Sequence, residues 1–439
     1  MMKRADILRY ALPFVTRAGV VGANIVSTLA LAWAFAPEIF GKIVFVWNFV
    51  LIYSAVLSLG VPNFLLRELS FRIDPAHDRQ KLSLPTMAAL IVIVPLLFAA
   101  ASAAGLVALF GAERALFPAA IDSAALIAAT FMMSYLVNLT AGLASAFVLA
   151  NRINHTMFVR DGLPSVTLIA SIFLPDIMGD PALSLFANFI LIQGALALAG
   201  MLWLATRHRL VAQAFGRRIG AVPNLFGFWG LAASNVLVTG IDVLVGGWIL
   251  GTRDLGHYQL IKRICNLVAL PQVVVAWAIA IPAGQAFARP DAGDRQTALQ
   301  EAARYGARLS FYPLIPLLIG GGGAAVAASA WFGYGLGAES LALIAFSLLS
   351  AVVTVIYGPG IIIAAQTHLE YRALAARIAG VTIFLVLALL ASRSYSSAAV
   401  VAACQLASVL TSGVLIWWVI RRRFAVDSSI FCLTFRRSS

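Results

Sequence analysis

The stretch Asp242–Asn266, with the sequence DVLVGGWILGTRDLGHYQLIKRICN, decides the fold because it combines a membrane-spanning pattern with a repeat. An apolar run leads into a short polar turn, and a second helical run follows that carries Lys262 and Arg263 side by side. Charge within an apolar span is costly in a bilayer and is usually functional. The stretch therefore predicts two membrane helices joined by a tight turn, with a cationic pair near the outer end of the second.

The same stretch repeats an earlier part of the chain. The segment WILGTRDLGH follows the segment WAFAPEIFGK by 215 residues, so that Trp248 matches Trp33 and Gly256 matches Gly41. An Asp-Arg-Gln triplet recurs farther on at nearly the same offset. Two matches at one offset, close to half the chain length, predict a duplicated architecture.

The composition places the chain in a membrane. Hydrophobic residues make up 62% of it, charged residues only 11%, and the mean hydropathy is +0.94, which is far too apolar for a soluble domain. The net charge of +13 falls mostly between the predicted helices, so no nucleic-acid partner is expected. Three cysteines without a CxxC spacing and five scattered histidines predict no disulfide framework, no metal site and no cofactor.

Twelve membrane spans are expected, since about 20 mostly apolar residues cross the hydrocarbon core. The first is predicted to be retained rather than removed as a signal peptide, because Pro37 would follow the apparent cleavage site. The predicted spans are residues 9–36, 39–61, 85–110, 118–150, 157–176, 182–206, 222–250, 256–284, 306–332, 339–366, 371–391 and 396–420.

The distribution of basic residues predicts the orientation. With the N-terminus inside, most of the 31 lysines and arginines fall in inner segments, so both termini are expected in the cytoplasm. The long basic linker at 206–223 divides the spans into two six-helix lobes. We predict an all-α polytopic protein with lobes at 1–215 and 216–439, related as parallel repeats, and a basic cytoplasmic tail that contacts membrane lipids.

Polar residues inside the spans form the candidate site. Lys262 and Arg263 are both cationic, whereas Asp242 on the preceding helix is the only obvious deep acid. If Asp242 pairs with one cation, the other remains, and two cations over one acid indicate an anionic ligand such as a phosphate. The alternative is a structural ion pair with a snorkelling side chain. The candidate substrate-binding residues are Arg17, Asn24, Gln259, Lys262, Arg263 and Asn266.

No catalytic constellation is present in the sequence. It contains no supported nucleophile and base, no phosphate-binding glycine loop with Lys-Ser/Thr, and no acidic metal cluster, so we predict no enzyme activity. Serine and threonine stripes in spans four, ten and twelve are interpreted mainly as helix packing.

Three segments resemble the bacterial polysaccharide flippases of the Wzx type: Gly60–Leu69 (GVPNFLLREL), Ala36–Gly41 and its echo Gly251–Tyr258. That family belongs to the superfamily that also holds the multidrug and toxic-compound extrusion (MATE) transporters and the lipid II flippase. The resemblance implies two lobes around a central cavity and alternating-access movement of an undecaprenyl-pyrophosphate-linked oligosaccharide from the inner to the outer leaflet. It also implies cavity-lining cations, which Arg17, Lys262 and Arg263 match here, and contact with the polysaccharide polymerase and chain-length machinery.

Three other functions compete with this one. A drug exporter of the same fold would want an acidic or aromatic pocket, and a major-facilitator permease also has twelve helices in parallel halves. A glycosyltransferase or polymerase would show a large outer loop, and every predicted outer loop is short. Within the flippase hypothesis, Asp242 is the candidate for ion coupling.

Overall fold

The computed structural model describes residues 4–60, 89–149, 158–206, 225–393 and 397–433, and within these ranges all regular structure is helical. The all-α prediction is confirmed. In chain order the helices are α1 (Arg4–Ala34), α2 (Pro37–Leu57), α3 (Val94–Ala112), α4 (Ala124–Leu149), α5 (Leu163–Ile172), α6 (Pro181–Thr206), α7 (Leu225–Ile249), α8 (Thr252–Cys265), α9 (Leu270–Phe287), α10 (Ala292–Trp331), α11 (Ala338–Gln366), α12 (Glu370–Ser392) and α13 (Ala398–Phe424).

Each of the twelve predicted spans contains a helix, the eighth being shared by α8 and α9. Nine of the described helices are long and apolar enough to cross a membrane. The other three predicted spans contain α1, α5 and the pair α8 and α9. In α5, for example, a π-helical turn at Phe158–Gly162 precedes only ten α-helical residues.

The eighth span is not the continuous helix that we predicted at 256–284. A 3₁₀ turn at Asn266–Ala269 separates α8 from α9. Pro271 in the first turn of α9 explains the break, since proline lacks an N–H and its ring clashes with the carbonyl four residues earlier. The cationic pair therefore lies in the last turn of a short helix.

The chain forms two compact units. Unit 1 comprises Met1–Val236 and Gly251–Gly256, and unit 2 comprises Leu237–Leu250 and His257–Ser439. The predicted lobe boundary at 215 and 216 falls outside the described residues and stays a prediction.

The sequence repeat marks the same helical connection twice. The first helix of the first copy ends at Ala34 and the next begins at Pro37, and 215 residues later α7 ends at Ile249 and α8 begins at Thr252. The matched Trp33 and Trp248 are both exposed, at 78% and 59%. Each therefore presents its ring at the end of a membrane helix, where tryptophan is favoured at the bilayer interface.

The two repeated turns also contact each other inside unit 1. A Cβ added to Gly41 would overlap the backbone carbonyl of Thr252, and a Cβ added to Gly256 would come within 3.1 Å of the Pro37 carbonyl oxygen. Both matched glycines are therefore required by a close approach of two backbones.

Unit 1 packs around α4, which contacts α2, α3 and α6. Aromatic pairs fill the interior: Trp47 meets Phe189 edge to face at 5.4 Å, and Tyr53 meets Phe131 at 4.8 Å. The buried hydroxyls of Thr130 and Ser134 on α4 donate to carbonyls of their own helix. Such bonds satisfy polar groups within a packed helix.

Residues that follow the matched glycines anchor the loops at the ends of the helices. Lys42 lies 2.6 Å from Asp122 and 3.1 Å from Asp180 in unit 1. Its counterpart at the 215-residue offset, His257, lies 3.1 Å from the Ser329 hydroxyl in unit 2. At the duplicated position, the ion pairs of Lys42 in unit 1 thus correspond to a hydrogen bond of His257 in unit 2.

In unit 2 the segment after α13 folds back onto the helices. Asp427 and Gln300 of α10 exchange two hydrogen bonds, from the Asp427 N–H to the Gln300 side-chain oxygen at 2.9 Å and from the Gln300 amide to the Asp427 carbonyl at 3.1 Å. Ile430 and Cys432 then bury against Ala307. The predicted basic tail therefore begins with nine docked residues, 425–433.

The Cys432 thiol gives a direct test of this docking. Burial, with a contribution from Asp427, raises the pKa of Cys432 from 9.0 to about 11. Because the thiolate is the reactive form, alkylation at pH 8 should be about a hundredfold slower than for an ordinary thiol. Iodoacetamide labelling followed by peptide mass spectrometry measures this rate, with the denatured protein as the reference. Rapid labelling of Cys432 in the folded protein would show that the segment is not docked.

Candidate functional site

A helical hairpin of α7 and α8 carries the polar residues, since only Leu250 and Gly251 separate the two helices. Asp242 precedes this turn by about as many residues as Tyr258 follows it. Helical rise therefore puts both side chains at a similar depth, roughly 12 Å from the turn. Lys262 lies one turn farther along α8.

Asp242 is completely buried and its carboxylate is fully engaged. It accepts hydrogen bonds from the Tyr258 hydroxyl and, at 3.0 Å, from the backbone N–H of Val243. The Lys262 ammonium lies 2.6 Å from one carboxylate oxygen and 2.7 Å from the other. Asp242 is thus the counter-ion of Lys262.

Lys262 completes its own hydrogen bonds at the same place. Its ammonium donates to the Thr239 carbonyl at 2.5 Å and lies 6.0 Å from the centre of the Tyr258 ring. Tyr258 and Lys262 are four residues apart, and so occupy one face of α8. The Asp242–Lys262 pair is neutral as a unit and has the geometry of a buried structural ion pair.

Arg263 lies on the next face of α8, because consecutive residues are about 100° apart around a helix. Its side chain is half-buried, and its guanidinium forms no hydrogen bond or ion pair with the described residues, although Asp242 attracts it at longer range. Gln259 lies one turn before it on the same face and is 2% exposed. The side-chain oxygen of Gln259 has no hydrogen-bond partner among the described residues.

The polar residues that we predicted to form one stripe on α8 therefore lie on two faces of the helix. Lys262 and Tyr258 face Asp242, whereas Gln259 and Arg263 share the next face round the helix. Asn266 is exposed at the start of the 3₁₀ turn. Among the described residues the site thus holds two cations and one carboxylate, and of the two cations only Lys262 contacts the carboxylate directly.

A further contact holds α7 in place from another helix. The Gln405 amide of α13 donates to the Val238 carbonyl at 2.6 Å, one turn before Asp242. Gln405 is 5% exposed, and its side-chain oxygen also lacks a hydrogen-bond partner within the described residues. The backbone beside the ion pair is thus fixed by a buried amide.

The other two predicted residues lie on α1 in unit 1. Asn24 donates to the Val20 carbonyl at 3.0 Å and accepts from the Ser165 hydroxyl of α5 at 2.6 Å. Its amide thus joins two helices of that unit. The side chain of Arg17 lies outside the described residues, so its role as a substrate cation stays a prediction.

Sequence reasoning missed Tyr258 as a site residue. Tyr258 had a usable signal, since a buried tyrosine needs a hydrogen-bond partner and it stands four residues before Lys262. Gln405 belongs to the polar stripe of span twelve, which we interpreted mainly as helix packing, and nothing in the sequence indicates which helix α13 meets. Among the described residues no group of three or more His, Cys, Asp or Glu side chains could hold a metal ion.

Sequence comparison gives no relatives, since no family profile and no characterised protein matches the chain. Solved structures do match. An outward-facing multidrug resistance MATE family transporter of the MOP superfamily aligns with a TM-score of 0.62 and 14% identity over 95% of each chain. A MOP superfamily transporter from Pyrococcus furiosus aligns with 0.60 and 15% over 95% of each chain.

A third match is a MATE transporter of Vibrio cholerae, with a TM-score of 0.58 and 11% identity over 94% of this chain and 95% of that one. At such low identity these likenesses show the fold alone. The protein is an all-α, twelve-span membrane protein with the fold of the MATE transporters.

Proposed function

We propose that the protein is a flippase that moves an undecaprenyl-pyrophosphate-linked oligosaccharide from the inner to the outer leaflet of a bacterial inner membrane by alternating access. One observation carries the proposal. Asp242 neutralises Lys262, whereas Arg263 keeps its charge inside a membrane protein. A half-buried guanidinium that no described carboxylate contacts directly suits the two adjacent oxygens of a phosphate.

The fold supports a transporter, and the positive charge of the site supports an anionic cargo. Among the matched structures, the Pyrococcus furiosus protein is described as having a binding pocket of reverse polarity that suggests a different function. Pocket polarity on this fold is thus tied to function, and a cationic site favours an anionic cargo. The proposal includes cytoplasmic termini and contact with polymerase and chain-length proteins.

A drug exporter is the second candidate, since two of the matched structures are named as multidrug resistance transporters. A site for cationic drugs would want an acidic or aromatic pocket, and the carboxylate of Asp242 is occupied by Lys262 and Tyr258. The major-facilitator alternative is not retained, because the fold is that of MATE transporters.

The function is tested by complementation of a strain that lacks its own flippase. Arg263→Ala should reduce surface polysaccharide by roughly ten- to a hundredfold, because a charged hydrogen bond contributes about 1.5–3 kcal/mol. The matched control is Arg253→Ala, an exposed arginine in the first turn of the same helix. It should restore polysaccharide like the unaltered gene at equal protein levels.

Two results would contradict the proposal. Full polysaccharide from Arg263→Ala at normal abundance would remove the cation argument. Resistance to cationic dyes on expression, without any polysaccharide, would favour the drug exporter.

A further inference from the structure

Four exposed arginines lie where α12 begins and α13 ends, and we call them the basic rim: Arg372, Arg421, Arg422 and Arg423. Three belong to the last turn of α13 and one to the first turn of α12. Both helices are long and apolar enough to cross a membrane. The rim therefore lies at a membrane boundary.

The register of α12 and α13 places these cations at one level. A Cβ added to Gly380 would overlap the Ser412 side chain, so these two residues are directly opposed. The helices are consecutive and antiparallel, and each residue advances the axis by about 1.5 Å. Arg372, eight residues before Gly380, therefore lies level with Ile420, at the depth of the three arginines that end α13.

Two of the arginines stack on tryptophans. The guanidinium carbon of Arg421 lies 5.0 Å from the centre of the Trp417 ring, and that of Arg422 lies 5.2 Å from Trp418. Trp418 is 48% exposed. Tryptophan is favoured at the level of lipid headgroups, so the stacked guanidinium groups are held where headgroup phosphates lie.

No described carboxylate neutralises the rim. One oxygen of Asp427 accepts from the Trp417 indole at 2.8 Å and from the N–H and hydroxyl of Ser429 at 2.9 and 2.7 Å. Glu370 is 3% exposed. Within the described residues none of the four arginines forms an ion pair.

The helix dipole does not explain the arrangement either. It favours cations at the end of α13 and opposes one in the first turn of α12, where Arg372 stands. The four cations thus share one level, and no described carboxylate forms an ion pair that would give them a counter-charge. A phosphate with oxygens toward both helices would supply it.

We propose that the basic rim is a binding site for the phosphate of an anionic phospholipid headgroup, with the acyl chains lying along the apolar faces of α12 and α13. The exposed Ile378 on α12, and Leu410 and Val414 on α13, supply such faces within roughly 17 Å of the rim along the helix axes. The site is independent of the transported cargo.

The test compares lipids by thermal unfolding of the purified full-length protein in detergent. Phosphatidylglycerol should stabilise the protein at a lower mole fraction than phosphatidylcholine. Arg421→Gln combined with Arg422→Gln should raise the half-maximal mole fraction of phosphatidylglycerol on the order of 20-fold, and Arg372→Gln about fivefold, from roughly 1 kcal/mol per arginine near a membrane surface.

The matched control is Arg393→Gln, an exposed arginine at the opposite end of α12, which should change the mole fraction less than twofold. Inorganic phosphate at the same phosphate concentration should not stabilise the protein. Three outcomes would overturn the site: unchanged lipid preference in both rim variants, an equal loss in Arg393→Gln, or equal stabilisation by inorganic phosphate.

Discussion

Asp242→Ala is expected to destabilise the protein strongly. The substitution removes the counter-ion of Lys262 together with the acceptor of the Tyr258 hydroxyl, and both partners are buried. Removing one member of a buried ion pair costs about 3–5 kcal/mol, because an uncompensated charge remains inside. The midpoint of thermal unfolding in detergent should fall by several degrees.

The matched control removes both charges. Asp242→Leu combined with Lys262→Met should recover most of the loss, since a buried ion pair can be replaced by apolar residues at little cost. A single Asp242→Ala protein as stable as the parent would contradict the pairing. If the double variant is stable but does not transport, Asp242 acts in ion coupling as well, which the sequence suggested.

Gly41→Ala is expected to prevent accumulation of folded protein. The new methyl group would overlap the backbone carbonyl of Thr252, and a backbone cannot move aside as a flexible side chain can. Gly256 lies on the other side of the same contact, next to the Pro37 carbonyl. Overpacking at such a point costs at least about 1–3 kcal/mol. Membrane abundance and monodispersity after extraction measure the effect.

Gly105→Ala in α3 is the matched control, since a Cβ there meets nothing within 4 Å. Alanine favours a helix over glycine by about 1 kcal/mol, so this variant should be as abundant as the parent or more so. Normal abundance of Gly41→Ala would mean that the two repeated turns do not touch.

The helices and the repeat could be predicted from the sequence because both depend on local order. Apolar length alone located the twelve spans, and the offset of 215 residues matched the ends of α1 and α7. We did not predict the break in the helix after Cys265, although Pro271 indicates one. The docking of residues 425–433 was not predictable, since it depends on Gln300, more than a hundred residues away.

The candidate site was predictable in its composition and not in its pairing. Two cations and one acid were evident in the sequence, but which cation meets Asp242 depends on the rotation of α8 about its axis. Lys262 and Arg263 are equally close in sequence. The structure selects Lys262, because Tyr258 on the same face donates to the same carboxylate.

Helix α3 differs from its neighbours in how little of it is packed, with Pro95 and Ala99 as its buried residues. Hydrocarbon tails solvate leucine, valine and phenylalanine alike, so no particular side chain is needed on the remaining surface. Natural selection can therefore preserve the hydrophobicity of α3 while its individual residues change. Across relatives, this helix should be the hardest to align and the easiest to exchange.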